Sequence, residues 1–218
     1  MNPTKIEWAT HTWNPVTGCR HGCPYCYARR IARRFGKTAA ARAFEPEFHP
    51  ERLGQPLKRH KPARIFVCSQ ADLFGRWVPA DWIRAVVDVA RQAPQHTFVF
   101  LTKAPMRLLL PDFPDNCWVG VSTPTQQALN RAAWLLPEVK ASVRFVSAEP
   151  LLEPLSLRAA AFRLHWLIIG AETGPGAPPP PRRLAADLAH QADEQGVPVF
   201  LKDNIEPVFP EPCREYPA

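Results

Sequence analysis

From residue 64 onward, short apolar runs alternate with stretches of helical periodicity, and this alternation restricts the chain to α/β architectures. The runs are Arg64–Ser69, Thr97–Thr102, Cys117–Ser122, Val143–Ser147, His165–Gly170 and Val197–Leu201. Each is nearly continuous in Val, Ile, Leu and Phe, the composition of parallel strands buried on both faces. Between them lie Ala80–Gln92, Thr125–Leu136 and Arg182–Gln195, with apolar residues at helical spacing. In the first of these, Trp82, Val86, Val89 and Ala90 fall on one face. Pro79 and Pro124 stand at or just before helix starts, where a missing N–H costs nothing. The connections 103–116 and 148–164 predict shorter or less regular helices.

Strand–helix–strand repetition implies right-handed βαβ crossovers. A further unit precedes them: Thr12–Thr17 as a candidate first strand, then a cysteine-bearing loop, then a helix from Pro24 to about Phe35. Six to seven parallel strands predict a partial or small (β/α) barrel, with a flat doubly wound sheet as the alternative. No Gly-rich phosphate fingerprint follows the first strand, which weighs against a Rossmann arrangement. We read residues 1–218 as a single domain, with 37–62 a basic, Pro-containing surface insertion and 205–218 a Pro-rich tail. The chain has 26 prolines, about twice the usual share. Most punctuate element ends. The run Pro178–Pro181 closes a loop, Gly174–Pro181, that either covers a site or acts as a stiff connector.

The loop after the first strand reads Gly18-Cys19-Arg20-His21-Gly22-Cys23-Pro24-Tyr25-Cys26-Tyr27, a C-x3-C-x2-C spacing. Three thiolates on one loop can hold a metal centre without closing it, since structural zinc takes four protein ligands and a cubane usually takes four cysteines. The spacing therefore suggests a [4Fe–4S] cluster with one iron left for a small molecule. Zinc completed by His21 or a distant ligand is the alternative. Cys26 is expected in the first helical turn, where unpaired N–H groups favour thiolate. Gly18 and Gly22 allow close backbone wrapping. Cys68 and Cys117 lie in or beside apolar runs and read as buried thiols, and Cys213 shows no pattern.

The strand ends carry polar residues in succession: Ser69-Gln70-Ala71-Asp72, Thr102-Lys103, Ser122, Ser147-Ala148-Glu149, Glu172-Thr173 and Lys202-Asp203-Asn204. In (β/α) barrels this face bears the active site. A strand also turns polar simply where it meets water, but six in succession favour a polar site.

The formal net charge of +7 suits a polyanionic partner, nucleic acid included. Arg29, Arg30, Arg33, Arg34 and Lys37 follow the cysteines at i, i+4 spacing. No apolar stretch reaches the length of a membrane span and the N-terminus lacks a signal-peptide pattern. A cytoplasmic chain with reduced thiols and no membrane association is expected.

The segments Thr4–Trp8, Thr12–Cys19 and Cys23–Ala28, with Val67–Gly75, Phe100–Lys103, Trp118–Ser122, Glu149–Pro154 and Gly170–Gly176, resemble a phage-associated three-cysteine-motif family of uncharacterised function. That family looks like a branch of the radical S-adenosylmethionine (SAM) superfamily, whose signature also places an aromatic residue, here Tyr25, before the third cysteine. The resemblance implies that Cys19, Cys23 and Cys26 ligate three irons and that the fourth chelates SAM. It further implies reductive cleavage of SAM to a 5′-deoxyadenosyl radical, with a flavodoxin or ferredoxin as electron source. Tyr25, Ser69, Asp72, Ser122 and Glu149 are the cofactor-binding candidates, and Lys103, Glu172 and Lys202 the candidates for contact with substrate. The usual Gly-Gly-Glu after the second strand is replaced by Ser69-Gln70-Ala71-Asp72. A base-modifying or repair enzyme acting on nucleic acid is the expectation for substrate. The competing readings are a metal-containing nucleic-acid-binding module without SAM chemistry and a Schiff-base enzyme using Lys103 or Lys202.

Overall fold

The computed structural model describes residues 1–157, 164–174, 176–205 and 213–217. In chain order the elements are β1 (Asn2–Pro3), β2 (His11–Trp13), β3 (Val16–Thr17), α1 (Tyr27–Phe35), α2 (Ala39–Ala43), β4 (Glu47–Phe48), β5 (Arg64–Val67), α3 (Ala80–Gln92), β6 (Thr97–Thr102), β7 (Cys117–Ser122), α4 (Gln126–Leu135), β8 (Val143–Ala148), β9 (Trp166–Ile169), α5 (Arg182–Asp193) and β10 (Val199–Leu201). The fold is mixed α/β, with a mostly parallel eight-stranded sheet in the order β1-β2-β5-β6-β7-β8-β9-β10. The edge strand β1 runs antiparallel to β2. No helix among the described residues is long and apolar enough to cross a membrane.

The chain divides into two compact units, Met1–Trp118 with Lys140–Ser142, and Val119–Val139 with Val143–Ala218. In the first unit β2, β5 and β6 pair in parallel, with Trp13 opposite Val67 and Ile65 opposite Phe98. Trp8, Trp13, Ile65, Phe74, Phe98 and Phe100 are buried there almost completely. Trp8 packs on Phe66 with ring centroids 4.7 Å apart. Helix α3 buries Ile83, Val86, Val87, Val89 and Ala90. Ile83 thus holds the place expected of Trp82, whose indole stacks on Phe48 at 5.0 Å.

The first candidate strand is split in two. Asn14-Pro15 interrupts Thr12–Thr17, because proline brings no N–H to a ladder. β2 stays in the main sheet, while β3 leaves it and pairs antiparallel with β4. Residues 37–62 are more than an irregular surface insertion. They carry α2, β4 and two short 3-10 turns. Phe44 in this stretch is buried, and Phe48 lies opposite Val16 in the β3–β4 pair.

In the second unit β8, β9 and β10 pair in parallel around Phe145, Trp166, Ile168 and Phe200. Gly120 lies flat beneath the Phe145 ring, where a Cβ would come within 2.4 Å of it. Helix α5 buries Leu184, Ala185, Leu188 and Ala192. Of the predicted Pro-rich tail, Cys213–Pro217 runs back along β10, with Leu201 N–H donating to Cys213 O at 2.7 Å and Glu215 N–H to Val199 O at 2.9 Å. Residues 206–212 and 218, and Pro175 of the Gly174–Pro181 loop, lie outside the described residues.

Candidate functional site

The cysteine loop belongs to the first unit and is held by backbone on two sides. Gly18 N–H donates to Gln70 O, just past the end of β5, and Cys19 N–H donates to Phe44 O, both at 2.9 Å. Gly18 sits at φ +83°, and a Cβ there would fall 2.0 Å from the Glu45 carbonyl oxygen. Only glycine can therefore enter the loop at this point. Gly22, at φ +74°, faces open space, so backbone conformation alone asks for glycine.

The loop ends on Cys26, which is the N-cap of α1 and lies just outside the first turn where it was expected. Its Sγ accepts from Arg29 N–H at 3.4 Å. A thiol thus fills the place that a serine or aspartate oxygen fills in most helices. The first turn of α1 carries no acidic residue, so the positive helix end acts unopposed on the sulfur. All three loop cysteines are half-buried and free of disulfides. Burial pushes the Cys19 thiol up to about 11, with His21's backbone N–H pulling the other way and Asp72, Cys23 and Cys26 adding to the rise. Cys68 and Cys117 are buried thiols, both pushed up to about 12 by burial.

Asp72 is the knot of this unit. Its Oδ1 accepts from Phe74 N–H at 3.0 Å and from the Thr102 hydroxyl at 2.7 Å. Its Oδ2 accepts from Lys103 N–H at 2.9 Å and meets His21 Nε2 at 2.6 Å. Burial alone would raise its pKa, but the hydrogen bonds from His21, Lys103 N–H and Thr102 outweigh it and hold the carboxyl below its ordinary value. One carboxylate so ties the segment after β5, the end of β6 and the middle of the cysteine loop together. The His21 ring also meets Trp77 edge-on at 4.8 Å.

Beside this knot, Ser69 Oγ donates to Asn14 Oδ1 at 3.2 Å, which also accepts from Gln70 N–H at 3.0 Å. The Tyr27 hydroxyl donates to Ser69 O at 2.6 Å. Cys68 turns the chain here at φ +57°, a left-handed conformation in a buried non-glycine residue. The Lys103 ammonium stands 5.9 Å from the centre of the Tyr25 ring. The first unit therefore brings together Cys19, Cys23, Cys26, Tyr25, Ser69, Asp72 and Lys103.

The second unit has a polar group of its own at the ends of β8, β9 and β10. Lys202 Nζ pairs with Glu149 Oε1, and their side chains are only 10% and 21% exposed. Gly170 forms the floor beneath them: a Cβ there would lie 3.0 Å from Lys202 Cδ and 3.1 Å from Glu149 Cγ. Ser122 Oγ donates to Glu149 O at 3.4 Å. The Asn204 amide clamps Ala171 from both sides, accepting from its N–H at 3.0 Å and donating to its carbonyl at 2.8 Å. Glu172, half-buried, makes no hydrogen bond or ion pair to another described residue.

A family model described as a protein of unknown function, DUF5131, matches residues 3–207. This chain is a member of that family. No curated protein and no solved structure matches it. Every candidate site residue of this DUF5131 member lies inside the matched span.

The donor set suits an iron–sulfur cluster: three free thiols, a helix N-terminus directed at the last of them, and glycines that leave room at the backbone. Among the described residues, no three His, Cys, Asp or Glu side chains converge as they would around a single metal ion. In a cubane each thiolate takes a different iron, so the thiolates stand farther apart than around one ion. His21, the candidate fourth ligand for zinc, has its Nε2 engaged by Asp72. Residue-type reasoning missed the roles of Asn14, Thr102 and Tyr27. The only visible signal for Asn14 was its place before a proline within the same segment as the cysteines.

Proposed function

We propose that this chain is a radical SAM enzyme, with Cys19, Cys23 and Cys26 holding three irons of a [4Fe–4S] cluster. The observation that carries this reading is the loop itself: three unpaired thiols on a backbone pinned at Gly18 and Cys19 and capped onto α1 at Cys26. When bound, the cluster and SAM supply one-electron cleavage of the SAM C5′–S bond, with the electron from a flavodoxin or ferredoxin, to give methionine and a 5′-deoxyadenosyl radical that takes hydrogen from substrate. The parallel sheet is read as a partial or small (β/α) barrel of the kind that supports this chemistry.

The residues of the chain bind and orient. Cys26 caps α1, its Sγ accepting from Arg29 N–H at 3.4 Å. Asp72 accepts all four of its hydrogen bonds from protein donors. Its role is thus to position the loop through His21, and not to hold the SAM amino group. In the first unit Tyr25 and Ser69 are assigned to SAM and Lys103 to substrate. In the second unit Ser122 and Glu149 form a polar group with Lys202, whose charge Glu149 balances.

The test is anaerobic reconstitution with iron and sulfide, followed by dithionite and SAM. The expected results are a brown protein near four irons per chain and formation of 5′-deoxyadenosine, both lost in a Cys19→Ala/Cys23→Ala/Cys26→Ala variant. A protein that takes up no iron and yields no cleavage product refutes the reading.

A further inference from the structure

Helix α1 stands out from every other helix of eight or more residues among the described residues. It buries one side chain, Ala28, while α3 buries five. A helix so poorly rooted in the core is held largely by its caps and neighbours, and its outer surface is left for something else. That surface carries two adjoining rows. Tyr27, Ile31 and Phe35 are spaced i, i+4, i+8 and are 38%, 42% and 65% exposed. Arg30 and Arg34, also at i, i+4, border that row, with Arg33 next to them. The Arg34 guanidinium lies over the Phe35 ring, 5.0 Å from its centre.

The charge around the helix is of one sign. Between Glu7 and Glu45 there is no carboxylate, while Arg20, Arg29, Arg30, Arg33, Arg34, Lys37 and Arg42 all fall in that interval. Arg33 and Arg34 form no ion pair with a described residue, and Arg20 pairs with Glu45 at 2.8 Å. Residues 1–118 hold 18 Lys and Arg against 9 Asp and Glu, and residues 119–218 hold 9 against 11. The whole positive excess of the chain therefore belongs to the part that carries the cysteine loop.

We infer that the outer face of α1 is a docking surface for single-stranded or locally unpaired nucleic acid. The arginine row matches phosphates, which guanidinium groups bind through paired N–H donors. The Tyr27–Ile31–Phe35 row offers flat apolar surface on which bases stack, the combination that serves strands whose base faces are accessible. A duplex hides those faces and would use the arginines alone. A lipid surface fits less well: three apolar side chains give little area to insert, and the Tyr27 hydroxyl is tied to Ser69 O. Because α1 begins at Cys26, a strand lying along it is led to the cysteine loop. As a statement about substrate, the inference rests on the radical SAM reading. As a statement about binding, it does not.

The test is fluorescence anisotropy of the full chain with labelled 20-nucleotide single-stranded DNA and RNA, the corresponding duplexes, and vesicles containing anionic phosphatidylserine. Binding to single strands should exceed binding to duplexes, and should weaken with salt. Arg30→Gln/Arg33→Gln/Arg34→Gln should weaken binding at least tenfold and lower the salt slope by about 2. Phe35→Ala should cost about tenfold at constant salt slope. Circular dichroism of each variant checks that the fold persists. A Lys58→Gln/Lys61→Gln control removes exposed charge elsewhere and should leave binding within about twofold of the parent.

Absence of single-strand binding at low salt, equal loss in the Lys58/Lys61 control, or preference for vesicles or duplex each overturns the inference. SAM cleavage is measured on the same parent protein without nucleic acid. Cleavage without strand binding overturns this inference alone, and strand binding without cleavage or iron overturns the enzymatic reading alone.

Discussion

Replacing Asp72 with asparagine removes a charge while conserving shape, and the structure specifies what must fail. The carboxylate accepts two hydrogen bonds on each oxygen, one of each pair from a backbone N–H: Phe74 on Oδ1 and Lys103 on Oδ2. An asparagine has one oxygen and one NH2. Whichever way the amide is turned, its NH2 faces one of those two backbone donors, and neither can rotate away. The Thr102 hydroxyl and the His21 ring can adapt; the backbone cannot. One buried N–H is left without an acceptor, at a cost of about 1–3 kcal/mol, and the remaining bonds lose charge assistance. We expect Asp72→Asn to destabilise the protein by about 2–4 kcal/mol. At about 2–4 °C per kcal/mol for a chain of this size, the melting temperature should fall by about 5–15 °C. Asp72→Ala strands both backbone donors and should cost more.

The pH dependence of the same variant has a definite sign. The folded-state pKa of Asp72 lies below its ordinary value of 3.8. Its contribution is therefore complete above that value and is lost as pH falls through the lower folded-state value. The stability gap between parent and Asp72→Asn should hold steady from neutral pH down to about 5 and then narrow in acid. Urea titrations at a series of pH values measure both quantities. A neutral-pH gap under about 0.5 kcal/mol, or a gap that widens in acid, refutes the assignment of Asp72 as a saturated buried carboxylate. Iron retention after reconstitution should also fall, because His21, between two of the cysteines proposed to hold iron, loses its anchor.

Three further outcomes follow from the geometry. Gly18→Ala forces a Cβ to within 2.0 Å of a backbone oxygen at positive φ, whereas Gly22→Ala meets only the conformational penalty. The first should prevent folding or iron uptake and the second should cost about 1–2 kcal/mol, and equal effects by thermal unfolding would contradict the loop geometry. Glu149→Gln removes the carboxylate paired with a nearly buried Lys202 ammonium, at a cost of up to about 3 kcal/mol; Glu149→Gln/Lys202→Met should recover part of that loss, and strict additivity in the double-mutant cycle would rule out the pair. With its pKa pushed up to about 11, Cys19 in iron-free protein should be alkylated by iodoacetamide at a rate still rising about tenfold per pH unit between pH 8 and 9.5; a plateau in that range by peptide mass analysis would show that burial does not govern this thiol.

What the sequence made legible and what it withheld divide along a physical line. Strands β6 and β7 occupy the expected residues because an apolar run buried on both faces declares itself without reference to any partner. Helix α3 likewise follows from periodicity, and its boundaries match those expected. The cysteine spacing marks the loop because the three thiols proposed as ligands are neighbours in the chain. The function of Asp72 was hidden for the opposite reason: its partners His21 and Thr102 lie 51 and 30 residues away, and no local pattern marks a carboxylate that will accept four bonds. The resemblance made it a ligand of SAM by position, and the hydrogen bonds make it a brace. Residues 37–62 show the same limit. Their prolines and charges read as surface, yet Phe44 is buried and its carbonyl holds Cys19. A loop with three cysteines and no regular structure of its own has to be shaped by backbone from elsewhere, and here the segment after β5 and the one after α2 supply it. Asn14 and Phe44, which no residue pattern marks, give Ser69 and the cysteine loop their places.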